Sequence, residues 1–293
     1  MDYQRVSRWL VTGAAGQLGQ SVLALAAEYE IEASAYPRAE LDIGDAAAVA
    51  RSIEETRPDV VLNCAAYTKV DLCEAQPDEA ARANELGPRL LAEACKAGPL
   101  LVHMSTDYIF DGETSRPLLE DAPANPLGVY GRSKLGGEEA VRASGANYLI
   151  VRSQWLFGPG PNFVRTIVDR AAEGQELRVV EDQIGRPTWT RSLAAAIFQA
   201  VKRGARQELH LACDGVASWY DLAREAVLGA AKRGLCPEVP VRPIPSREMP
   251  RPAARPAYAV LGLERARELG IGLPHWREAL SDYLDREAAR DHA

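Results

Sequence analysis

The stretch VTGAAGQLG, Val11 to Gly19, joins a short apolar run to a segment of helical periodicity. The run before it, RWLVT, is rich in residues that suit a strand. The segment after it, QSVLALAAEYE, repeats apolar residues every three or four positions. Glycines at 13, 16 and 19 let the backbone turn tightly, and a helix N-terminus offers free N–H groups and partial positive charge to a diphosphate. A lone GxxGxxG is weak evidence. One that follows a strand and opens a helix is the context in which a dinucleotide-binding loop is expected. Gly13, Gly16, Gln17, Leu18 and Gly19 are therefore candidate cofactor contacts.

Outward from this loop the chain alternates. IEASAYP, DVVLNCAA, LLVHMST and NYLIVRS read as strands, with helical segments between them. DVVLNCAA shows no polar alternation, as expected of a strand buried on both faces. Strand–helix alternation with short connections predicts an α/β fold, a doubly wound parallel sheet of Rossmann type. PDEAARANELGPRLLAEACKAG reads as one long helix with an internal Gly-Pro. The second half is less regular, which predicts a smaller C-terminal substrate domain. The expected division is 1–153 for the dinucleotide domain and 154–293 for mainly the substrate domain, with segments between about 178 and 215 returning to the first. Ser218 followed by Asp221 predicts a capping box. Seven prolines between Pro237 and Pro256 predict an extended loop, not a helix or a central strand.

Composition narrows the function. The 293 residues are 47% hydrophobic and 26% charged, as in ordinary soluble proteins. A net charge of −7 argues against a nucleic-acid partner, which needs a basic face. No run approaches eighteen apolar residues, so no membrane span is expected, and the N-terminus lacks the pattern of a signal peptide. Five cysteines without CxxC spacing fit idle thiols in a reducing cytoplasm. Four scattered histidines give no metal site.

The end of the second strand reads AYPRAELDI. The acidic ribose ligand of NAD-only sites is missing there and Arg38 stands close by, which suits a 2′-phosphate. NADPH is the expected cofactor, with NADH also accepted. Asp42 and Ile43 are expected beside the adenine.

VYGRSKLGGEE places Tyr130 four residues before Lys134, on one face of a helix. Alone, such a pair reads as a solvated helix face. Taken in order, GxxGxxG, LDI, NCAA, STD and YxxxK resemble the extended short-chain dehydrogenase/reductase family. NCAAYTKVDLCE, STDYIFDG, YGRSKLGGE, NFVRTIV, DQIGRPT and RPAARPAY are similar to its dTDP-4-dehydrorhamnose reductase branch, over nearly the whole chain.

That resemblance implies reduction of the C4 ketone of dTDP-4-dehydro-6-deoxy-L-mannose to dTDP-L-rhamnose. It implies Tyr130 as proton donor, Lys134 lowering the phenol's pKa and holding the nicotinamide ribose, and Thr106 orienting the substrate oxygen. Asn63, Ala65, Ala66, Tyr67 and Asn84 would border or brace the cofactor. Thr68, Val70, Asp107, Tyr108, Trp155, Asn162 and Arg186 would meet the nucleotide sugar. Ser153-Gln154 departs from the Thr-Ser or Thr-Ala usual before the tryptophan. A homodimer is the expected assembly and the cytoplasm the expected compartment. Two alternatives stand beside this reading. One is a dehydratase or epimerase of the same fold, against which Tyr108 stands where a dehydratase carries glutamate. The other is a non-catalytic NADP-binding subunit like that regulating methionine adenosyltransferase.

Overall fold

A computed structural model describes residues 8–96 and 98–291. Most of the N-terminal segment read for a signal peptide, and His292, lie outside the described residues. β1 (Arg8–Thr12) passes through the glycine loop into α1 (Gln17–Ala26), then β2 (Glu32–Tyr36), α2 (Ala46–Thr56) and β3 (Val60–Asn63). Three short helices, α3 (Val70–Ala75), α4 (Pro77–Ala81) and α5 (Gly87–Cys95), precede β4 (Leu100–Thr106), α6 (Val129–Ala143) and β5 (Tyr148–Ser153). Next come β6 (Leu156–Phe157), α7 (Phe163–Ala172), β7 (Leu177–Val180), β8 (Ile184–Gly185), β9 (Thr188–Trp189), α8 (Thr190–Lys202) and β10 (Gln207–His210). The chain ends through β11 (Ala217–Ser218), α9 (Trp219–Ala231), β12 (Val241–Ile244), α10 (Glu264–Glu268) and α11 (Trp276–Asp291).

Six strands form one sheet in the order β10-β5-β4-β3-β1-β2, every pair parallel. Val60 to Leu62, Leu100 to Val102 and Leu149 to Val151 are fully buried. Helices cover both faces, which is why these strands read as unbroken apolar runs. On one face α1 and α8 bring Leu18, Val22, Leu193 and Ile197 against Trp9, Val11 and Leu62. On the other, Val49, Leu91 and Val141 from α2, α5 and α6 meet Leu10, Val61 and Ile150. Burying each such side chain stabilises by about 1.5–3 kcal/mol. Thus α8 and β10, late in sequence, pack with the sheet. A separate cluster joins α7, α9 and α11 through Val164, Leu222, Trp276 and Tyr283.

The strand order reverses between β1 and β3, and ligand crevices form at the carboxyl ends of strands beside such a switch. Two expectations change locally. The long helix over PDEAARANELGPRLLAEACKAG is broken into α4, a π-helical turn at Arg82–Leu86, and α5. Pro88 has no N–H to give the Asn84 carbonyl, and the Gly87 N–H reaches back to Arg82 instead. The proline-rich segment contains a strand after all. β12 pairs with β7 alone, and a two-stranded edge pairing tolerates Pro243. The capping box at Ser218 and Asp221 is present, with both reciprocal bonds.

Candidate active site

Gly13 adopts φ +64°, and a Cβ there would lie 2.6 Å from the Ala65 nitrogen. The loops after β1 and β3 therefore touch through this residue, and only glycine permits it. A Cβ at Gly19 would lie 2.6 Å from the Gly13 carbonyl oxygen, so the helix too sits hard against the loop. Gly16 is the N-cap of α1 and has no side chain to satisfy the first-turn N–H groups. Leu18 is buried in the core and can offer only backbone. Gln17 donates to the Pro161 carbonyl at 3.1 Å, tying α1 to the loop before α7.

This loop forms one wall of a cavity of about 210 Å³ that is also lined by Arg38, Asp42, Ile43, Ala65, Ala66 and Tyr67. The uncapped helix start and the small residues around it fit the diphosphate of a dinucleotide. Arg38 is largely exposed and stands 3.9 Å from Glu79. Asp42 is already engaged: one oxygen takes the Gly44 N–H at 2.9 Å and the other takes Arg82 at 2.7 Å. That hydrogen bond to Arg82 holds its carboxyl below the usual range. Ile43 reaches the cavity while packing on Gly87.

Asn63 closes β3. Its oxygen accepts from the Thr12 hydroxyl at 2.6 Å and the Ala65 N–H at 3.1 Å, and its amide nitrogen meets His103 Nδ1 at 3.1 Å. His103 is fully buried, and burial keeps its pKa well below the ordinary value. Asn63 thus joins the ends of β1 and β3 to the middle of β4. Asn84, on the π-turn, accepts from the Tyr67 N–H at 2.8 Å and donates to the Tyr67 carbonyl at 3.1 Å and Ser133 Oγ at 3.0 Å. It braces the Tyr67 backbone and couples it to α6. The partner Ser133 was not singled out from sequence, though it lies between Tyr130 and Lys134.

Gly128 caps the start of α6, and Tyr130 and Lys134 are both buried on it. Glycines 136 and 137 let α6 close on the π-turn, since a Cβ at Gly137 would lie 2.1 Å from the Asn84 carbonyl oxygen. The Lys134 ammonium donates to the Met104 carbonyl at 2.6 Å, and burial brings its pKa down to about 8. Burial pushes the Tyr130 phenol above its ordinary range, and the hydrogen bond with Thr106 pulls the other way. The Thr106 hydrogen bond is the contact that favours the phenolate, and the Lys134 ammonium is held on β4 by the Met104 carbonyl.

Thr106 ends β4. Its hydroxyl donates to Asp107 at 3.0 Å and accepts from the Tyr108 N–H at 3.2 Å. Asp107 is 2% exposed, and burial raises its carboxyl to about 7 against the hydrogen bonds from Thr106 and Gln154. Gln154 donates to Asp107 at 3.2 Å and to the Ala259 carbonyl at 3.0 Å, and accepts from the Leu261 N–H at 3.2 Å. The residue that departs from the related pattern is therefore the one that ties Asp107 to the segment following the prolines. Tyr108 packs edge-on against Tyr130 at 5.4 Å, with the Arg255 guanidinium 6.0 Å from its ring centre. Val70 joins this aromatic cluster, while Thr68 is exposed beside it.

Three expected sugar contacts have partners within the chain. Asn162 caps α7 by accepting from the Arg165 N–H, and its amide donates to Gly158, Gly160 and Tyr283. Both ends of that side chain are engaged in holding the start of α7. Arg186 is buried and donates to the Leu261 and Gly215 carbonyls at 2.8 and 2.9 Å, and lies 3.4 Å from Asp214. Through Nε and Nη1 it ties the loop before β9 to the segments at Leu261 and Gly215. The Trp155 ring stacks on Trp219 at 3.8 Å and lies against Gly185. With φ +50°, Trp155 is held in the left-handed region.

Fold and cleft together define the class, a dinucleotide-dependent short-chain dehydrogenase/reductase. Residues 7–289 match the family model described as the RmlD substrate binding domain. The chain is 43% identical to dTDP-4-dehydrorhamnose reductase of Streptomyces griseus, covering 94% of this chain and 92% of that one. It is 43% identical to a probable dTDP-4,6-dihydroxy-2-methyloxan-3-one 4-ketoreductase of Streptomyces antibioticus, covering 97% of each. The crystal structure of dTDP-4-dehydrorhamnose reductase from Bacillus anthracis in complex with NADP superposes with a TM-score of 0.90 at 33% identity, covering 96% of this chain and 99% of that one. This chain belongs to the dTDP-4-dehydrorhamnose reductase family. Among the described residues no helix is long and apolar enough to cross a membrane.

Proposed function

We propose that this protein reduces the C4 ketone of dTDP-4-dehydro-6-deoxy-L-mannose with NADPH, giving dTDP-L-rhamnose. The observation that carries the reading is the linked pair Thr106 and Tyr130 at the carboxyl end of β4, in the same parallel sheet whose β1 leads into the glycine loop. The bound nicotinamide supplies a hydride to the ketone carbon. Tyr130 holds the proton that the ketone oxygen receives. Thr106 favours the phenolate left behind and orients the oxygen. Lys134, fixed on Met104, presents a cation at the floor of the cleft and holds the ribose. Ala65, Ala66 and Tyr67, braced by Asn63 and Asn84, border the cofactor, and Gly13 to Gly19 hold its diphosphate. Asp107, Tyr108, Val70 and Thr68 line the sugar side. The sheet with its helices is the dinucleotide domain, and the cluster around α7, α9 and α11 is the substrate domain.

Tyr108 in place of an acid leaves the cleft without the second carboxylate that a 4,6-elimination would use, which favours a reductase over a dehydratase. The catalytic groups favour an enzyme over a binding subunit. The test is NADPH oxidation by the purified protein with the dTDP-4-keto sugar, the product identified by NMR. One NADPH should be consumed per sugar reduced. Tyr130→Phe should lower turnover by about two orders of magnitude or more with NADPH affinity little changed. Conversion of the sugar with no net NADPH consumption would reject the reductase reading.

A further inference from the structure

Arg82 drew no notice in the sequence. It opens the π-turn, and its side chain lines the same cavity as Arg38, Asp42 and Glu79. Its Nη2 donates to Asp42 at 2.7 Å, and a Cβ at Gly44 would lie 2.9 Å from its guanidinium carbon. Gly44 thus makes room for the guanidinium, and Asp42, itself held by the Gly44 N–H, fixes where it points. Arg38 lines the cavity from the β2 side and Arg82 from the α4 side. Glu79 and Asp42 stand beside these two cations. A ribose hydroxyl has no need of a cation here, whereas a phosphate on it would be attracted to both guanidiniums and repelled by both carboxylates. The Arg38–Glu79 separation of 3.9 Å is long and exposed, so that pair is weak. The short, directed contact is that of Arg82.

On the reading that this cavity takes the adenosine end of a dinucleotide, we propose that Arg82 is a specificity residue for a 2′-phosphate, acting together with Arg38. Asp42 is its resident counter-ion. The cavity then distinguishes phosphorylated from unphosphorylated dinucleotide through two guanidiniums, and Asp42 sets how strongly. Removing Arg82 weakens only the phosphorylated ligand. Removing the charge of Asp42 strengthens that ligand, because it lifts a repulsion and frees Arg82.

The experiment is calorimetric titration of the wild type, Arg82→Ala and Asp42→Asn with NADP+ and NAD+, without sugar. Arg82→Ala should weaken NADP+ about tenfold, as expected for one lost charge-assisted contact, and leave NAD+ within about twofold. Asp42→Asn should tighten NADP+ several-fold relative to NAD+. Both effects should shrink as salt is raised. Equal weakening of both dinucleotides by Arg82→Ala, or no weakening of either, would overturn the proposal, as would an unchanged NADP+/NAD+ ratio in Asp42→Asn. A wild type that binds neither dinucleotide would remove the cofactor reading and the proposal with it. Normal discrimination in a protein that fails to reduce the sugar would leave the proposal standing and reject the reductase reading alone.

Discussion

Asp107→Asn should make the protein more stable at mildly alkaline pH and remove part of its pH dependence. Burial raises this carboxyl from 3.8 to about 7. In the unfolded chain it titrates near its ordinary value, so between about pH 4 and pH 7 the folded protein holds a proton that the unfolded chain has released. Stability from this group is therefore greatest below about pH 4, falls as pH rises through the window, and stays low above it. At about 1.4 kcal/mol per unit, the full cost approaches roughly 4 kcal/mol at pH 8. Asparagine carries no charge and keeps both partners: its carbonyl can accept from Gln154 and its amide can donate to Thr106. Thr106 must then turn its own proton away from residue 107, which offsets part of the gain. A net stabilisation of about 1–3 kcal/mol near pH 8, vanishing toward pH 4, is expected. Urea unfolding from about pH 4 to pH 8 measures it. A variant that is less stable than wild type at pH 8, or that keeps the wild-type slope across the window, would refute the reasoning.

Gly13→Ala should abolish dinucleotide binding and destabilise the fold, since φ +64° and the 2.6 Å approach to Ala65 leave no room for a methyl group; calorimetry and thermal melting check it, and normal binding would refute it. Glu138→Gln should cost about 3–5 kcal/mol, because Arg152 would be left buried without its charge partner; a loss below about 1 kcal/mol in urea unfolding would show that the pair is not needed.

The parallel sheet was legible because buried strands and helical segments differ in pattern, and the glycine loop because its strand–helix context is local. Tyr130 and Lys134 were legible as a helical pair. The target of Lys134 was not, since Met104 lies thirty residues away on another element. The internal partners of Asn162 and Arg186 were not legible for a similar reason. Both carry groups that suit a ligand, and only the fold shows that a helix end and two internal carbonyls have already taken them. Arg82 escaped because its position depends on a π-turn, and that turn depends on a proline six residues later. Gln154 was visible as a departure from the related pattern, without any sign that its partner would be Asp107.

The spacing that raised Tyr130 and Lys134 continues along α6. Glu138 and Arg142 follow at the same four-residue interval, so the face that begins in the cleft ends in a buried ionic cluster. Glu138 is fully buried and takes Arg152 through both oxygens at 3.0 and 2.8 Å, with Arg142 also on it and on Glu208. Burial alone would raise the Glu138 carboxyl, but Arg152 prevails and holds it below the usual range. It therefore remains an anion one turn from Lys134, where it opposes the fall that burial imposes on the ammonium. A lysine buried in this way would otherwise lose its charge more readily. The bidentate contact with β5 also fixes the rotation of α6, and the close approach at Gly137 fixes its distance from the π-turn. Tyr130 is placed by those two constraints together, neither of which touches the reacting groups.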